Sequence, residues 1–93
     1  SRKKYKIPNQ IEKKALEALI LALDKCNDKM SPEDIQTLIY STGKANGYSE
    51  NLRDWFKLIY EVVFGVENGP RMGFFISFFG VKETKDLIIN KIK

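Results

Sequence analysis

The stretch Gly69–Gly80, "GPRMGFFISFFG", sets one cation, Arg71, between glycines and close to Phe74, Phe75, Phe78 and Phe79. A guanidinium carries a planar fork of donors that suits a phosphate or a base edge. An aromatic ring offers a stacking face to an unstacked base. If Pro70 opens a helix, the free N–H groups of the first turn favour an anion. Arg71 then sits beside a partly positive helix end, a conflict that a phosphate or a carboxylate such as Glu67 or Glu61 would relieve. Gly69 and Gly73 flank this position and are expected to let the backbone approach a ligand closely.

Other chemistry is largely excluded. The chain has no histidine, so Ser/His and Cys/His nucleophile pairs are impossible. Its one cysteine, Cys26, forms no disulfide within the chain and no Cys/His metal cluster. "GKANG" around Lys44 lacks the spacing and the trailing Ser/Thr of a phosphate-binding loop. Glu33 and Asp34 are adjacent on a helix and diverge, so they serve the helix end rather than acid–base work. No active site is expected within these residues, and no cofactor.

The elements that must position Arg71 are helical. "NQIE" places Asn9 as an N-cap with Glu12 three residues on, and Ile11, Ala15, Leu16, Leu19, Ile20 and Leu23 follow at helical spacing over about 10–27, where "CNDKM" breaks the pattern. "SPED" restarts it: Ser31 caps, Pro32 suits the first turn, and Ile35, Leu38, Ile39 and Thr42 share a face as far as "ANGY". Ser49 is expected to cap a third helix with Leu52, Trp55, Phe56, Ile59, Tyr60, Val63 and Phe64 on its apolar face, closed by Gly65. Over about 71–79 periodicity does not separate a short helix from a buried strand, and the glycine bracket and helical neighbours favour the helix. It is expected to bury Phe75, Phe78 and Phe79 and leave Phe74 outside, with Phe56, Ile59, Phe75 and Phe78 sharing the core. A last helix carries Leu87, Ile88 and Ile92. The expectation is an all-α domain, a compact bundle of about five helices spanning 1–93, with residues 1–8 a basic tail.

With 93 residues, the chain suits one small core. Its net charge of +4 is uneven: residues 1–14 hold six Lys/Arg against Glu12, residues 81–93 four lysines against Glu83 and Asp86, and the middle six basic against nine acidic residues. Positive ends suit RNA or another anionic surface, and the acidic middle limits the footprint to a local contact. No run reaches the roughly 20 apolar residues of a membrane helix. There is no signal-peptide apolar region and no initiator methionine, so a cytoplasmic piece of a longer protein is expected.

Phe56–Gly80, "FKLIYEVVFGVENGPRMGFFISFFG", resembles the C-terminal end of class I lysyl-tRNA synthetases. In that family an aromatic-rich helix ending "YxxLLG" leads through a short turn to "GPRxGxFI", a terminal "LG" and a last helix. Those places hold Tyr60, Gly65, Gly69-Pro70-Arg71, Gly73, Phe75-Ile76 and Gly80. Val63-Phe64 replaces the usual pair of leucines, and Phe74 stands where proline or serine is common. The likeness is good over 31–93 and loose over 5–30. "KMS" at Lys29–Ser31 matches the start of the KMSKS loop of class I synthetases, but "KMSPE" departs from it and reads instead as a helix cap.

The resemblance implies the anticodon-binding helical region of an enzyme that joins lysine to its tRNA using ATP. The HIGH and KMSKS motifs of the catalytic region are absent from these residues, and ATP would belong to that region. Implied partners are the anticodon stem-loop of tRNA(Lys) and the catalytic domain of the same chain, in a monomer. Expected contacts are Arg71 on a phosphate or base edge, Phe74 as a stacking face, and Lys44, Arg53, Lys57 and Lys82 on the RNA backbone. Tyr40 and Trp55 could stack but fit the core better. The alternative is a helical protein-interaction module anchored by Phe74–Phe79. A helix-turn-helix DNA reader fits less well, because no helix presents a row of base-reading side chains.

Overall fold

The computed structural model describes residues 3–27 and 29–93; Ser1 and Arg2 of the basic tail, and Asp28 of the "CNDKM" break, lie outside them. Among the described residues the fold is all-helical: α1 (Gln10–Leu23), α2 (Pro32–Gly43), α3 (Leu52–Val63), α4 (Met72–Phe79) and α5 (Val81–Ile92).

Two starts follow directly from their caps. The Glu12 N–H donates to Asn9 Oδ1 at 2.8 Å and the Asn9 N–H to Glu12 Oε1 at 2.9 Å. At α2 the Asp34 N–H donates to Ser31 Oγ at 3.0 Å, with Pro32 in the first turn. The other boundaries shift. α1 stops at Leu23 rather than near 27, and α2 gives way at Lys44 to a widened turn, Lys44–Tyr48, in which Gly47 takes φ +98°. That turn carries the chain past Ser49, so Asn51 and not Ser49 precedes α3, and its side chain donates to Asp54 Oδ2 at 2.6 Å.

The core joins Leu16, Leu19 and Leu23 of α1, Ile35 and Ile39 of α2, Trp55, Ile59 and Val62 of α3, Met72 and Ile76 of α4, and Ile88 of α5. Trp55 is fully buried and its Nε1–H donates to the Ile39 carbonyl at 3.0 Å, which satisfies its one polar atom. It is core, as expected. Tyr40 is not: it sits at the edge, 38% exposed, with its ring edge-on to Phe56 at 5.1 Å.

The expected core face of α4 is corrected. Phe78 is 93% exposed and Phe79 is 44% exposed. The inward stripe is Met72 and Ile76, four residues apart. Phe75 and Phe79 form the next stripe, stacked on each other at 5.0 Å, with Phe75 half-buried against Phe64. Phe74 and Phe78 form the outer one. Eight residues of almost uniform apolarity carry no pattern that says which stripe turns inward.

The N-terminal segment lies along α3. The Lys4 N–H donates to the Gly65 carbonyl at 2.8 Å and the Lys6 N–H to the Glu61 carbonyl at 3.0 Å. Gly65, at φ +73°, turns its carbonyl into this contact, and a Cβ there would lie 3.1 Å from Lys4 N. Lys91 Nζ lies 3.7 Å from the centre of the Tyr5 ring, so the N-terminal segment and the last turn of α5 meet.

Candidate nucleic-acid interface

The site begins with α4 against α2, the most extensive helix pair in the fold. Gly73 lies where the two helices touch. A Cβ on it would run into the Pro32 carbonyl oxygen and come within 2.9 Å of Gln36 N and Cβ. The Gly73 N–H donates to Gln36 Oε1 at 2.7 Å, a buried contact. Gly73 is therefore required by the α2–α4 packing, and the expected ligand approach at this residue is replaced by an internal one. Gly69 is similar: its Cβ would meet the Tyr60 ring at 2.9 Å. One N–H of the first turn of α4, offered above to an anion, is taken by Gln36.

Arg71 remains outward. It is exposed, and its Cζ lies 5.6 Å from the centre of the Phe74 ring, itself 45% exposed. Among the described residues the ion pairs are Lys6–Glu12, Lys82–Asp86 and Lys85–Asp24. Neither Glu67 nor Glu61 neutralises Arg71. The segment before it is fixed, because the Tyr60 O–H donates to the Pro70 carbonyl at 2.8 Å. Burial pushes the Tyr60 phenol up, with Tyr40 adding and Arg71 pulling the other way, so the hydroxyl keeps its proton for this bond at neutral pH.

Tyr60 belongs to a row of rings along one side of the molecule. Tyr40 and Phe56 are 5.1 Å apart, Phe56 and Tyr60 6.4 Å, Tyr60 and Phe64 6.3 Å, and Phe64 and Phe75 4.9 Å. Beside the row, a groove of about 310 Å³ is lined by Arg53, Phe56, Lys57 and Tyr60 of α3 and by Glu67 and Asn68 of the following loop. Arg53 and Lys57 are one helical turn apart, as are Phe56 and Tyr60, so one face of α3 presents cations and rings alternately.

The structure thus brings Arg53 and Lys57 into one groove, joined through Tyr60 to the turn that ends at Arg71 and leads into Phe74 of α4. Lys44 and Lys82 do not line it. Lys44 is exposed at the widened turn, and Lys82 is 3.2 Å from Asp86 beside a cleft lined by Asp24, Cys26 and Lys85. Sequence reading missed Phe56, Tyr60, Glu67 and Asn68 as members of such a site. The alternation at 53, 56, 57 and 60 was the available signal, masked because Phe56 and Tyr60 also fit the apolar face of α3.

Over 90 residues, 97% of its length, the chain is 40% identical to proteins named lysine–tRNA ligase from Rickettsia felis and Rickettsia akari. It is 39% identical over the same span to the one from Rickettsia prowazekii. It covers 17% of the length of each of these relatives. Neither a protein-family model nor a solved structure matches the chain.

Proposed function

From the premise that nearly all of this chain aligns with a segment of lysine–tRNA ligases, we propose that it is the anticodon-binding helical region of a class I enzyme of that kind. The alignment over 97% of the chain carries the reading. In this reading the parent enzyme attaches lysine to tRNA using ATP, and these residues hold the anticodon stem-loop while the catalytic region lies elsewhere in the polypeptide. The local chemistry supports it. Arg71 has no carboxylate partner among the described residues and sits beside an exposed Phe74, while Arg53 and Lys57 flank a groove with two rings. Lys and Arg supply phosphate contacts, and rings accept unstacked loop bases.

The test is direct titration. A dye-labelled RNA hairpin carrying the anticodon stem-loop of tRNA(Lys) is expected to bind the 93-residue chain, more weakly as salt rises. A hairpin of equal length with a scrambled loop should bind less well. Absence of binding to the lysine hairpin at low salt would overturn the reading. The chain alone is expected to show no lysine-dependent pyrophosphate exchange.

A second reading has one observation in its favour. Phe78 is 93% exposed between Phe74 and Phe79, as an apolar anchor for a protein partner would be. In that case Phe78→Ser abolishes partner binding and leaves RNA titrations unchanged.

A further inference from the structure

We infer that the groove between α3 and the 66–69 loop is a pocket for a single unstacked RNA base and its phosphate. This rests on the RNA-binding reading above and adds a location to it: two cations expected on the RNA backbone, Arg53 and Lys57, share one groove with two rings and a polar loop edge.

Size, charge and edge chemistry carry the inference. Ligand pockets for drug-sized molecules span about 300–1,000 Å³, and the groove, at about 310 Å³, has room for one base. Its wall is aromatic: Phe56 and Tyr60 stand 6.4 Å apart with their planes 40° from parallel. Their tilt leaves no parallel slot between them, so a base lies against the ring wall. Tyr60 spends its hydroxyl on Pro70, and Gly69 packs against its ring, so this wall is held before any ligand arrives.

At the rim, Arg53 and Lys57 are exposed, and neither belongs to the ion pairs found among the described residues. They suit the phosphate of the bound nucleotide. The remaining lining, Glu67 and Asn68, is exposed and polar. A carboxylate accepts an amino or imino N–H from a base, and an amide side chain both donates and accepts. A carboxylate in a groove whose other charges are cationic disfavours a bare anion. It suits a ligand with a donor edge at one end and a phosphate at the other, which describes a nucleotide. Reading along the groove, the phosphate meets Arg53 and Lys57, the ring meets Phe56 and Tyr60, and the Watson–Crick edge meets Glu67 and Asn68.

The experiment uses the same tRNA(Lys) anticodon hairpin, with 4-thiouridine placed singly at each loop uridine, and irradiation followed by peptide mapping. One loop position is expected to cross-link within 53–60 or 66–69. Arg53→Ala combined with Lys57→Ala should weaken hairpin binding about tenfold or more and lower the salt slope by about two. Glu67→Gln should change the ranking of hairpins that differ at the cross-linked base and leave thermal melting in place. If the hairpin binds but cross-links only elsewhere, and neither variant alters affinity or base ranking, the groove inference is overturned while the RNA-binding reading stands. If the unaltered chain fails to bind the hairpin, both fall together.

Discussion

Arg71 is the residue at which structure and binding separate most cleanly. Its guanidinium lies over the Phe74 ring, 5.6 Å from its centre, and pairs with no carboxylate among the described residues, so the fold does not depend on its charge. Arg71→Ala should leave the melting temperature nearly unchanged and weaken RNA binding by about 1–3 kcal/mol, the scale of one charged or bidentate contact. Thermal melts and hairpin titrations on the same preparation check this; an alanine variant that unfolds while its folded fraction binds normally would make Arg71 a structural residue. The glycines around it tell a different story from the one their spacing suggests. Small residues beside a cation look like an opening for a ligand, yet Gly73 is small because α2 runs against it. Sequence marks where backbone must come close; only the partner helix says to what. Gly73→Ala should therefore destabilise the fold with little direct effect on RNA contacts, because the new methyl meets backbone that has no rotamer to yield. Denaturant melts with and without the hairpin distinguish the two effects.

At the level of the helices, two of the three expected caps and the long amphipathic stretches were legible; the Ser49 cap and the orientation of the short uniform helix were not. Asn9–Glu12 and Ser31–Asp34 each announce a start by residue type and spacing, and both hydrogen-bond as expected. Trp55 and Ile59 fall on the buried side of α3, where polar residues alternate with apolar ones clearly enough to define a face. In α4 "MGFFISFF" offers no polar face, so its orientation comes from tertiary fit. Gly73 admits α2, and that rotation turns Met72 and Ile76 inward and Phe78 outward. A paired substitution tests this. Ile76→Ala should cost about 2–5 kcal/mol as a fully buried side chain, whereas Phe78→Ser should stay within about 0.5 kcal/mol, measured by chemical denaturation. The Arg53–Tyr60 groove was hidden for a related reason: half of its wall comes from residues that an apolar periodicity assigns wholly to the core.

Across the whole molecule, charge and topology meet at the N-terminal segment. Burial pushes the Glu12 carboxyl up, but the Asn9 N–H and the Lys6 ammonium 2.9 Å away outweigh it, and the net shift is downward from 4.5. Lys6 moves upward, first because of its hydrogen bond to Glu12. A depressed carboxyl stabilises the folded state fully above its unfolded value, and that stabilisation fades as pH falls through the folded value. A raised ammonium stabilises below its unfolded value and loses the effect as pH climbs through the raised one. Stability from this pair should thus hold across neutral pH and decline below about pH 4.5. Glu12→Gln should remove much of the acid-side decline in urea midpoints measured from pH 6 to pH 3. The same segment sets Tyr5 beneath Lys91, so the N-terminal segment and the last turn of α5 lie within reach of each other's side chains. A helical unit whose first and last packed segments adjoin tolerates circular permutation and insertion into a host loop. Joining residue 91 to residue 5 through a short Gly/Ser bridge and opening the exposed turn at Glu50 should yield a rearranged chain with the same interior, able to hang its Arg53–Tyr60 groove from a scaffold by a single two-stranded stalk.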